Sequence, residues 1–293
     1  KITAFFQGSR SLYQNMIKSL KRFVYGWCPY VFTKTFAPAS PKLEYYKFFK
    51  EHPYTHHPYD FAAQYLDMDV VVSRDTVKGL PYVLHVGRRL YFPAAFSDRQ
   101  VSVAYKCLML EQDVRHPHHY VDSMEELRGM TLCDVGASEG FTSLEAIDYV
   151  RHIYLFEYDP AWIEALEATF EPWRDKVTLV KKFVGDADDD KNVRLDTFFK
   201  DKSTERLFIK MDIEGAECMA LSGAVRLFRN AEGLEFAVCT YHRKNDLSDI
   251  SAFLDSCDCR YFPRDKYIYI DHRLRVAILR GRNAVARTAD EHA

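Results

Sequence analysis

The sequence predicts an α/β fold: a Rossmann-like αβα sandwich with a mainly parallel, seven-strand-type sheet, preceded by a smaller α+β region. After residue 121, apolar segments of strand length alternate with amphipathic segments of helix length, as in βαβ units. The first of these strands runs into a loop with two glycines that opens a helix, and the second strand ends in an acidic residue. These features are typical of doubly wound sheets that bind a ligand at the carboxyl ends of their strands.

The same pattern sets the boundaries of individual elements. The predicted strands are Thr131–Val135, Ile153–Glu157, Val177–Val184, Leu207–Asp212, Leu234–Thr240 and Arg275–Leu279. The predicted helices begin near Phe141, Ala161, Ala216 and Leu247. We therefore assign residues 121–285 to the α/β domain and residues 286–293 to a disordered tail.

Residues 1–120 are predicted to form a cap or substrate module. The pattern indicates a short helix at LEYYKFFKEH, a hairpin whose turn holds Gly87, and a helix with an apolar stripe from Val101 to Met109. Within the first 36 residues, apolar side chains at near-helical spacing between Leu12 and Phe23 are interleaved with lysine and arginine. Such a segment either packs as a helix on the rest of the chain or lies against a membrane surface or a partner.

Composition and charge narrow the function classes. The 293 residues carry a formal net charge of −2 with a pI of about 6.6, so nucleic acid is not an expected partner. An odd count of seven cysteines, several of them inside apolar runs such as FAVCTY, predicts free thiols and a cytoplasmic location. No run approaches the roughly 18 apolar residues that span a bilayer, and so no transmembrane segment is expected.

The loop after the first predicted strand has the features of a ligand-binding turn. In TLCDVGASEGF, Gly136 permits a tight turn, and Gly140 opens a helix whose amino end favours a carboxylate. Asp134 is placed to meet a cationic amino group, directly or through water. The Gly-x-Gly-x-x-Gly pattern of dinucleotide enzymes is missing. The loop residues predicted to bind a ligand are Asp134, Gly136, Ala137, Ser138, Glu139, Gly140 and Phe141.

The acidic end of the second strand extends this prediction. Glu157 lies roughly 20 residues after Asp134, where an acidic residue accepts hydrogen bonds from both ribose hydroxyls of a nucleoside. The alternative role, a cap for the helix that begins near Pro160, fits Asp159 better because Asp159 directly precedes that proline. The further predicted cofactor contacts are Tyr158, Gly185 and Asp186.

Several motifs, taken in their order and spacing, resemble a known family. DVGASEGFTS, YLFEYDPAWIEAL, VRLDTFF, FIKMDIEGAECMALSGA and CTYHRKNDL together resemble the FkbM family of methyltransferases, across residues 113–254. The resemblance implies a class I domain with S-adenosyl-L-methionine as its cofactor. It also implies an enzyme that transfers a methyl group to a hydroxyl oxygen, often on a sugar or a polyketide. The expected substrate is therefore a glycan or another small molecule.

Methyl transfer to oxygen requires a group that removes the acceptor's proton and lies within hydrogen-bond reach of the acceptor. Three residues at the predicted carboxyl edge of the sheet are candidates: Asp212, Glu214 and His242. Imidazole titrates near neutral pH, although His242 equally fits a cap of the helix led by Asp246. Asp212 and Glu214 also fit a divalent cation site, while Asp212 equally fits a cofactor contact and Glu214 a helix cap. Lys210 fits either an ion-pair partner for these acids or a substrate anchor.

The histidines upstream do not predict a metal site. His116, His118 and His119 fall in a proline-containing loop, and His56 and His57 are adjacent. Neither Cys-x2-Cys nor His-Glu-x-x-His accompanies them. We therefore expect surface or ligand-contacting side chains there, and no bound metal.

Two other functions stay open at this point. One is a nucleoside-binding scaffold with a vestigial site, against which the intact set of Asp134, Gly136, Gly140 and Glu157 argues. The other is methylation of RNA or protein, in which an aromatic-rich cap would stack on the substrate. This second function predicts a basic groove, of which the overall charge gives no hint.

Overall fold

The computed structural model describes residues 20–21, 23–53 and 55–285. The chain divides into two compact units. The N-terminal unit comprises the residues up to Ala63 together with Tyr267–Arg275. The α/β unit comprises Gln64–Lys266 and the residues from Val276 onward. The predicted tail, 286–293, lies outside the described residues.

The α/β unit is built on a seven-stranded sheet. In chain order its strands are β1 (Thr131–Val135), β2 (His152–Phe156), β3 (Val177–Val180), β4 (Leu207–Met211), β5 (Leu234–Cys239), β6 (Arg260–Pro263) and β7 (Ile278–Arg282). Their order across the sheet is β3-β2-β1-β4-β5-β7-β6. The neighbours from β3 to β5 are parallel, and β7 runs antiparallel to both β5 and β6. This arrangement confirms the predicted class I methyltransferase fold.

The central strands are buried along their whole length because both faces of the sheet are covered. Every residue of β1 and of β4 is buried. The helices of the α/β unit that follow β1 are Phe141–Ala146, Pro160–Thr169, Leu195–Phe198, Glu217–Ser222, Val225–Asn230 and Asp246–Ser256. Leu221, Phe228 and Leu254 of these helices join the strands in one fully buried core. All seven cysteines are free thiols, as predicted.

Two predicted strands differ from the structure. The segment Val177–Val184 is interrupted after Val180, and Phe183–Val184 pairs instead with Asn192–Val193 in a separate two-stranded ladder. The interruption falls at two consecutive lysines, Lys181 and Lys182, directly after the edge strand β3. The segment Arg275–Leu279 is likewise divided, and its second part extends to Arg282.

The extension of β7 from Leu279 to Arg282 was not predicted because it contains two arginines. Arg280 is 8% exposed, and its guanidinium contacts Asp122 at 3.2 Å and Glu126 at 2.5 Å. Paired in this way, a buried arginine is compatible with a strand interior. The short edge strand β6 and the helix Val225–Asn230 were not predicted either.

Residues 64–120 pack against the α/β layer. They include a three-stranded sheet of Ser73–Arg74, Pro81–His85 and Arg88–Tyr91, and the helix Asp98–Glu111. The hairpin turn consists of Val86 and Gly87, both with positive φ, which confirms a glycine at this turn. The ring of His85 lies 4.2 Å from that of Phe141. The compact units therefore divide at residue 63, whereas the sequence predicted a boundary at residue 120.

The N-terminal unit is a helical pair closed by a distant hairpin. Its helices are Cys28–Phe36, which continues the π-helical turn Phe23–Trp27, and Leu43–Glu51. Tyr45 and Phe49 form a small core with Tyr269 and Leu274 of the hairpin Tyr267–Val276. Most of the predicted amphipathic helix upstream, including Leu12, Met16 and Ile17, lies outside the described residues. Among the described residues, no helix has the length and apolarity needed to cross a membrane.

Candidate functional site

A cavity of about 550 Å³ opens at the carboxyl ends of β1, β2 and β4. Its volume falls in the range of small-ligand and cofactor sites. Most of the predicted site residues line it: Asp134, Gly136, Ala137, Ser138, Glu139, Phe141, Glu157, Tyr158, Asp212 and Glu214. Gly140, Gly185, Asp186 and His242 are not among the lining residues. The acidic loop that holds Asp186 is solvent-exposed, so the predicted adenine contact there has no support in the cavity's shape.

The turn after β1 can be formed only with glycine at its first position. Gly136 has a φ of +80°, and a Cβ there would lie 2.0 Å from the carbonyl oxygen of Asp212. The ends of β1 and β4 therefore approach each other backbone to backbone. Gly140 has a φ of +76° and caps the helix Phe141–Ala146 against Phe170. Gly136 lines the cavity, and both glycines shape the loop after β1 rather than donate chemistry.

Asp134 is fixed by neighbours on both of its oxygens. The Lys210 Nζ lies 2.8 Å from Asp134 Oδ1, and Ser143 Oγ donates to Asp134 Oδ2 at 2.6 Å. Lys210 also donates to the Gly136 carbonyl oxygen at 2.5 Å. Burial lowers the pKa of Lys210, but the charges of Asp134 and Asp212 outweigh it and raise the pKa above the ordinary value. Lys210 is thus the ion-pair partner of Asp134, whereas the sequence had suggested Asp212 and Glu214 as its partners.

Glu157 closes the opposite side of the cavity with its carboxylate held by backbone amides. Oε2 accepts from the Ser138 amide at 2.9 Å, and Oε1 accepts from the Tyr158 and Asp159 amides at 2.7 and 2.8 Å. Asp159, not Glu157, caps the helix Pro160–Thr169 by accepting from the Ala161 amide. Glu157 is therefore oriented by the turns after β1 and β2, at the position where we predicted a ribose contact.

Asp212 at the end of β4 is the centre of a polar cluster. Tyr120 donates to Asp212 Oδ2 at 2.7 Å, and His118 Nε2 lies 3.5 Å from the same oxygen. His242 Nε2 lies 3.4 Å from Asp212 Oδ1, and its Nδ1 lies 2.9 Å from Glu217 Oε1. The ring of His242 thus faces Asp212 and Glu217. Asp212 lines the cavity, and His242 lies behind it.

Sequence reasoning did not assign three members of this cluster to the site: His118, Tyr120 and Glu217. His116, His118 and His119 were expected at the surface or on a ligand, but all three are buried, and His118 lines the cavity. Tyr120 follows them directly. Glu217, which is fully buried, is the second glutamate of the quoted KMDIEGAE motif and was the one available signal. Glu214 is 93% exposed along its side chain, 3.7 Å from His242 Nε2, with a φ of +54°.

The surroundings separate the protonation states of these groups. Burial raises the pKa of Asp212, but His118, Lys210 and His242 outweigh it, so the pKa is lowered. Burial lowers the pKa of His118 to about 4. Burial also lowers the pKa of His242, yet its hydrogen bond to Glu217 and the charge of Asp212 raise it overall. At neutral pH the cluster therefore combines an ionised Asp212, a neutral His118 and a His242 that takes up a proton readily.

Two further carboxyl groups in the cavity titrate near neutral pH. Burial raises the pKa of Glu139 to about 7 and that of Glu111 to about 8. Both residues line the same cavity. A cationic ligand placed between them would favour their ionised forms.

Two groups of side chains in the described part of the chain have metal-ligating atoms within 4.8 Å of one another. One group is His118, Asp212 and Cys239, and the other is Asp212, Glu217 and His242. Each group offers three protein ligands and shares Asp212 with the other. The predicted cation pair, Asp212 and Glu214, is not one of them.

With this geometry, fold and cavity together define a class I methyltransferase-like α/β unit. Residues 171–261 match the Methyltransferase FkbM domain. The match confirms the resemblance to the FkbM family that was predicted across residues 113–254. No curated protein matches the chain significantly.

Three solved structures illustrate the likeness in fold. A methyltransferase FkbM from Methylobacillus flagellatus KT is 21% identical, covers 64% of this chain and 55% of its own, and has a TM-score of 0.44. Trm5b from Pyrococcus abyssi is 13% identical, covers 70% of this chain and 56% of its own, and has a TM-score of 0.44. TYW2 from M. jannaschii in complex with AdoMet is 10% identical, and the match covers 73% of this chain and 86% of TYW2, with a TM-score of 0.37. The chain thus spans 55% of the length of the first of these proteins.

Proposed function

We propose that the protein is an S-adenosyl-L-methionine-dependent methyltransferase that modifies a hydroxyl group of a sugar, a glycan or another small molecule. The observation that carries the proposal is the charge of the cavity. Seven carboxyl groups line it against two lysines, and two of the seven, Glu111 and Glu139, titrate near neutral pH. The acidic residues are Glu111, Asp134, Glu139, Glu157, Asp159, Asp212 and Glu214, and the basic ones are Lys182 and Lys210.

This charge suits S-adenosylmethionine better than other nucleotides. The cofactor carries a sulfonium and an ammonium cation with only one carboxylate, so its net charge is opposite to that of the cavity. A dinucleotide would bring two phosphates to the same carboxylates and lose several kcal/mol, roughly, in a partly desolvated site. The acidic lining therefore favours the sulfonium cofactor and disfavours nucleotide phosphates.

The ends of the first two strands fit the two parts of this cofactor. Glu157 accepts from three amides, which leaves one of its roughly four lone-pair sites, on Oε2, to accept from a ribose hydroxyl. The loop after β1 lines the cavity from Gly136 to Glu139, and we assign the amino-acid part of the cofactor to it. Asp134 acts on this loop through Lys210, which bonds the Gly136 carbonyl.

The cofactor supplies an electrophilic methyl group, and the residues of this chain position the acceptor and remove its proton. Asp212 is ionised and faces the cavity, so its carboxylate accepts the hydrogen bond of the acceptor hydroxyl. Asp212 itself takes the proton of the hydroxyl, while His242 Nε2, 3.4 Å behind it and supported at Nδ1 by Glu217, holds the carboxylate in place. A positioned base of this kind contributes roughly 10²–10⁴-fold to the rate.

Calorimetric titration of the full chain tests the cofactor assignment. We expect S-adenosylmethionine and S-adenosylhomocysteine to bind and NAD not to bind. Glu157→Gln should weaken binding about 5- to 150-fold, the cost of 1–3 kcal/mol for unsatisfied hydrogen bonds, roughly. Glu164→Gln on the exposed face of the next helix is the matched control. Binding of NAD alone, or unchanged affinity of Glu157→Gln, would overturn the assignment. Absence of binding of all these nucleosides to the wild type would also overturn the assignment and would favour a scaffolding protein without a functional cofactor site.

Transfer of a labelled methyl group to a panel of glycans and polyols tests the reaction. Asp212→Asn should lower kcat by about 10²-fold or more while leaving the dissociation constant of S-adenosylhomocysteine within about threefold. Glu217→Gln should lower kcat and shift its pH dependence, because the support of the His242 cation is lost. Equal loss of kcat and of cofactor binding in Asp212→Asn would make Asp212 a cofactor ligand instead.

A further inference from the structure

The N-terminal unit exposes an unusual amount of apolar surface on one helical segment. Seven large apolar residues between positions 20 and 36 each expose 44% or more of their surface. These residues, termed the exposed apolar face, are Leu20, Phe23, Val24, Trp27, Val31, Phe32 and Phe36. Single exposed apolar residues are ordinary, but a contiguous set on one element marks an interaction surface.

This face is distinct from the side by which the helix is held in its unit. Gly26 and Thr33 are buried, and a Cβ on Gly26 would lie 2.7 Å from the backbone of Phe49. The segment therefore already packs on the helix Leu43–Glu51 through one side. Leu20, Val24, Trp27 and Val31 recur at spacings of four, three and four residues, which places them along one stripe.

Basic side chains predominate in the first 50 residues, and the nearest acidic one after them, Glu51, lies 3.8 Å from Lys50. Residues 1–50 contain nine lysines and arginines and one acidic residue, Glu44. Their formal charge is +8, and the remaining 243 residues carry −10, which together give the net −2 of the chain. Lys21 and Lys34 are exposed on the segment itself, and Lys50 lies 5.2 Å from the centre of the Trp27 ring.

Apolar, aromatic and basic side chains in this combination match the surface of an anionic bilayer. Phenylalanine, tryptophan and leucine insert at the boundary of headgroups and acyl chains, while lysine and arginine contact anionic headgroups. An anionic bilayer surface accounts for the exposed apolar residues and the flanking cations together, so we take it as the occupant of this face. No described helix has the length to span the bilayer, so the segment would lie in its surface.

We propose that the N-terminal unit binds the surface of an anionic lipid bilayer through the exposed apolar face, with the exposed Lys21 and Lys34 at the headgroups. This binding is independent of the methyltransferase function proposed above. It would hold the protein at a membrane surface.

Sedimentation of the full chain with vesicles tests the proposal. Wild-type protein should bind vesicles of phosphatidylcholine containing phosphatidylserine, bind phosphatidylcholine alone at least roughly fivefold less, and dissociate as salt increases. Phe32 and Phe36, exposed by 64% and 73%, offer the sharpest variant. The double variant Phe32→Ser/Phe36→Ser should lower the partition coefficient roughly tenfold or more.

Matched controls separate this surface from general stickiness. Val71→Ser/Val77→Ser alters two apolar residues of the α/β unit that are exposed by 81% and 94%, and it should bind vesicles like the wild type. Lys21→Gln/Lys34→Gln should weaken binding by about fivefold for each lysine at low salt. The matched charge control is Lys191→Gln/Lys200→Gln, at exposed positions of the α/β unit.

Three outcomes would overturn the proposal. They are no vesicle binding by the wild type, equal binding to neutral and anionic vesicles, and undiminished binding of Phe32→Ser/Phe36→Ser. Concentration-dependent self-association in the ultracentrifuge that Phe32→Ser/Phe36→Ser abolishes would assign the face to a second copy of the chain. Titration with S-adenosylhomocysteine in the same preparations reports the α/β site separately, so failure of one proposal is distinguishable from failure of the other.

Discussion

Removing the Lys210 cation tests how the ends of β1 and β4 are held together. Lys210 and Asp134 are directly opposite each other in the parallel pair β1–β4, and their side chains are 7% and 2% exposed. Lys210→Met keeps the length of the side chain but leaves Asp134 with only the Ser143 hydroxyl as a hydrogen-bond partner. The variant therefore creates a buried carboxylate without its counter-ion.

The expected cost follows from the burial of both partners. Breaking a fully buried ion pair from one side costs about 3–5 kcal/mol, because the remaining charge stays desolvated. Against a total stability of about 5–15 kcal/mol, this loss is large. Asp134→Asn/Lys210→Met removes both charges and keeps an acceptor for Ser143, so it should recover most of the stability. Lys181→Met breaks a pair with Glu167 whose members are both more than half exposed, and should cost less than about 1 kcal/mol.

Urea unfolding followed by far-ultraviolet circular dichroism at pH 7 measures these differences. The midpoint of Lys210→Met should fall by roughly 1 M or more, and that of the double variant should return towards the wild type. A cost below about 1 kcal/mol for Lys210→Met, or a double variant less stable than Lys210→Met, would refute the reasoning. Either result would mean that water reaches the Asp134–Lys210 ion pair.

Three further predictions concern local geometry and titration. Gly136→Ala should lower the melting temperature and abolish cofactor binding, because its Cβ would meet the Asp212 carbonyl oxygen. The control Gly79→Ala, at a glycine with positive φ and no atom within 4 Å of the new Cβ, should cost only about 1–2 kcal/mol of stability. Similar losses of stability in the two variants would contradict this prediction. Ser97→Ala removes the capping box of the helix Asp98–Glu111 and should lower the free energy of unfolding in urea by about 1 kcal/mol. An unchanged free energy of unfolding would mean that the cap is solvated and does not stabilise the helix. The raised pKa of Glu139, about 7, means that the unfolded state releases this proton first as pH rises. The protonated Glu139 therefore contributes its full stability below about pH 4.5, and this contribution is lost as the pH rises to about 7. Glu139→Gln should flatten the pH dependence of the unfolding free energy in this range. If the variant and the wild type had parallel pH dependences, the pKa of Glu139 would be ordinary.

The sequence predicted the elements whose cause is local. The bounds of β1 were correct because a short, mainly apolar segment that leads into a glycine turn has one interpretation in an α/β pattern. The capping role of Asp159 was correct because it depends only on the residue and the proline after it. The turn at Gly87 was correct for the same reason. By contrast, the return of Tyr267–Ile270 to the N-terminal unit joins residues more than 200 positions apart, and no local pattern encodes it.

The candidate site was predicted in part, and the missing part is nonlocal. Asp134, Glu157 and Asp212 were found because each ends a strand, and strand ends converge at one edge of a parallel sheet. His118 and Tyr120 were not assigned to the site because they reach Asp212 across more than 90 residues of chain. The buried glutamate of the KMDIEGAE motif was visible in the sequence, but its contact with His242 was not.

The sequence by itself determined the periodicities, the two glycine turns and the acidic strand ends, since backbone sterics and side-chain alternation act within a few residues. It also determined the charge contrast between the first 50 residues and the rest. Only the tertiary structure decided that Asp134 is tied to Lys210, that Asp212 is flanked by two histidines, and that Glu111 and Glu139 titrate near neutral pH. The physical reason is that desolvation and charge pairing depend on which distant segments exclude water from a group, and that is settled only when the whole sheet is assembled.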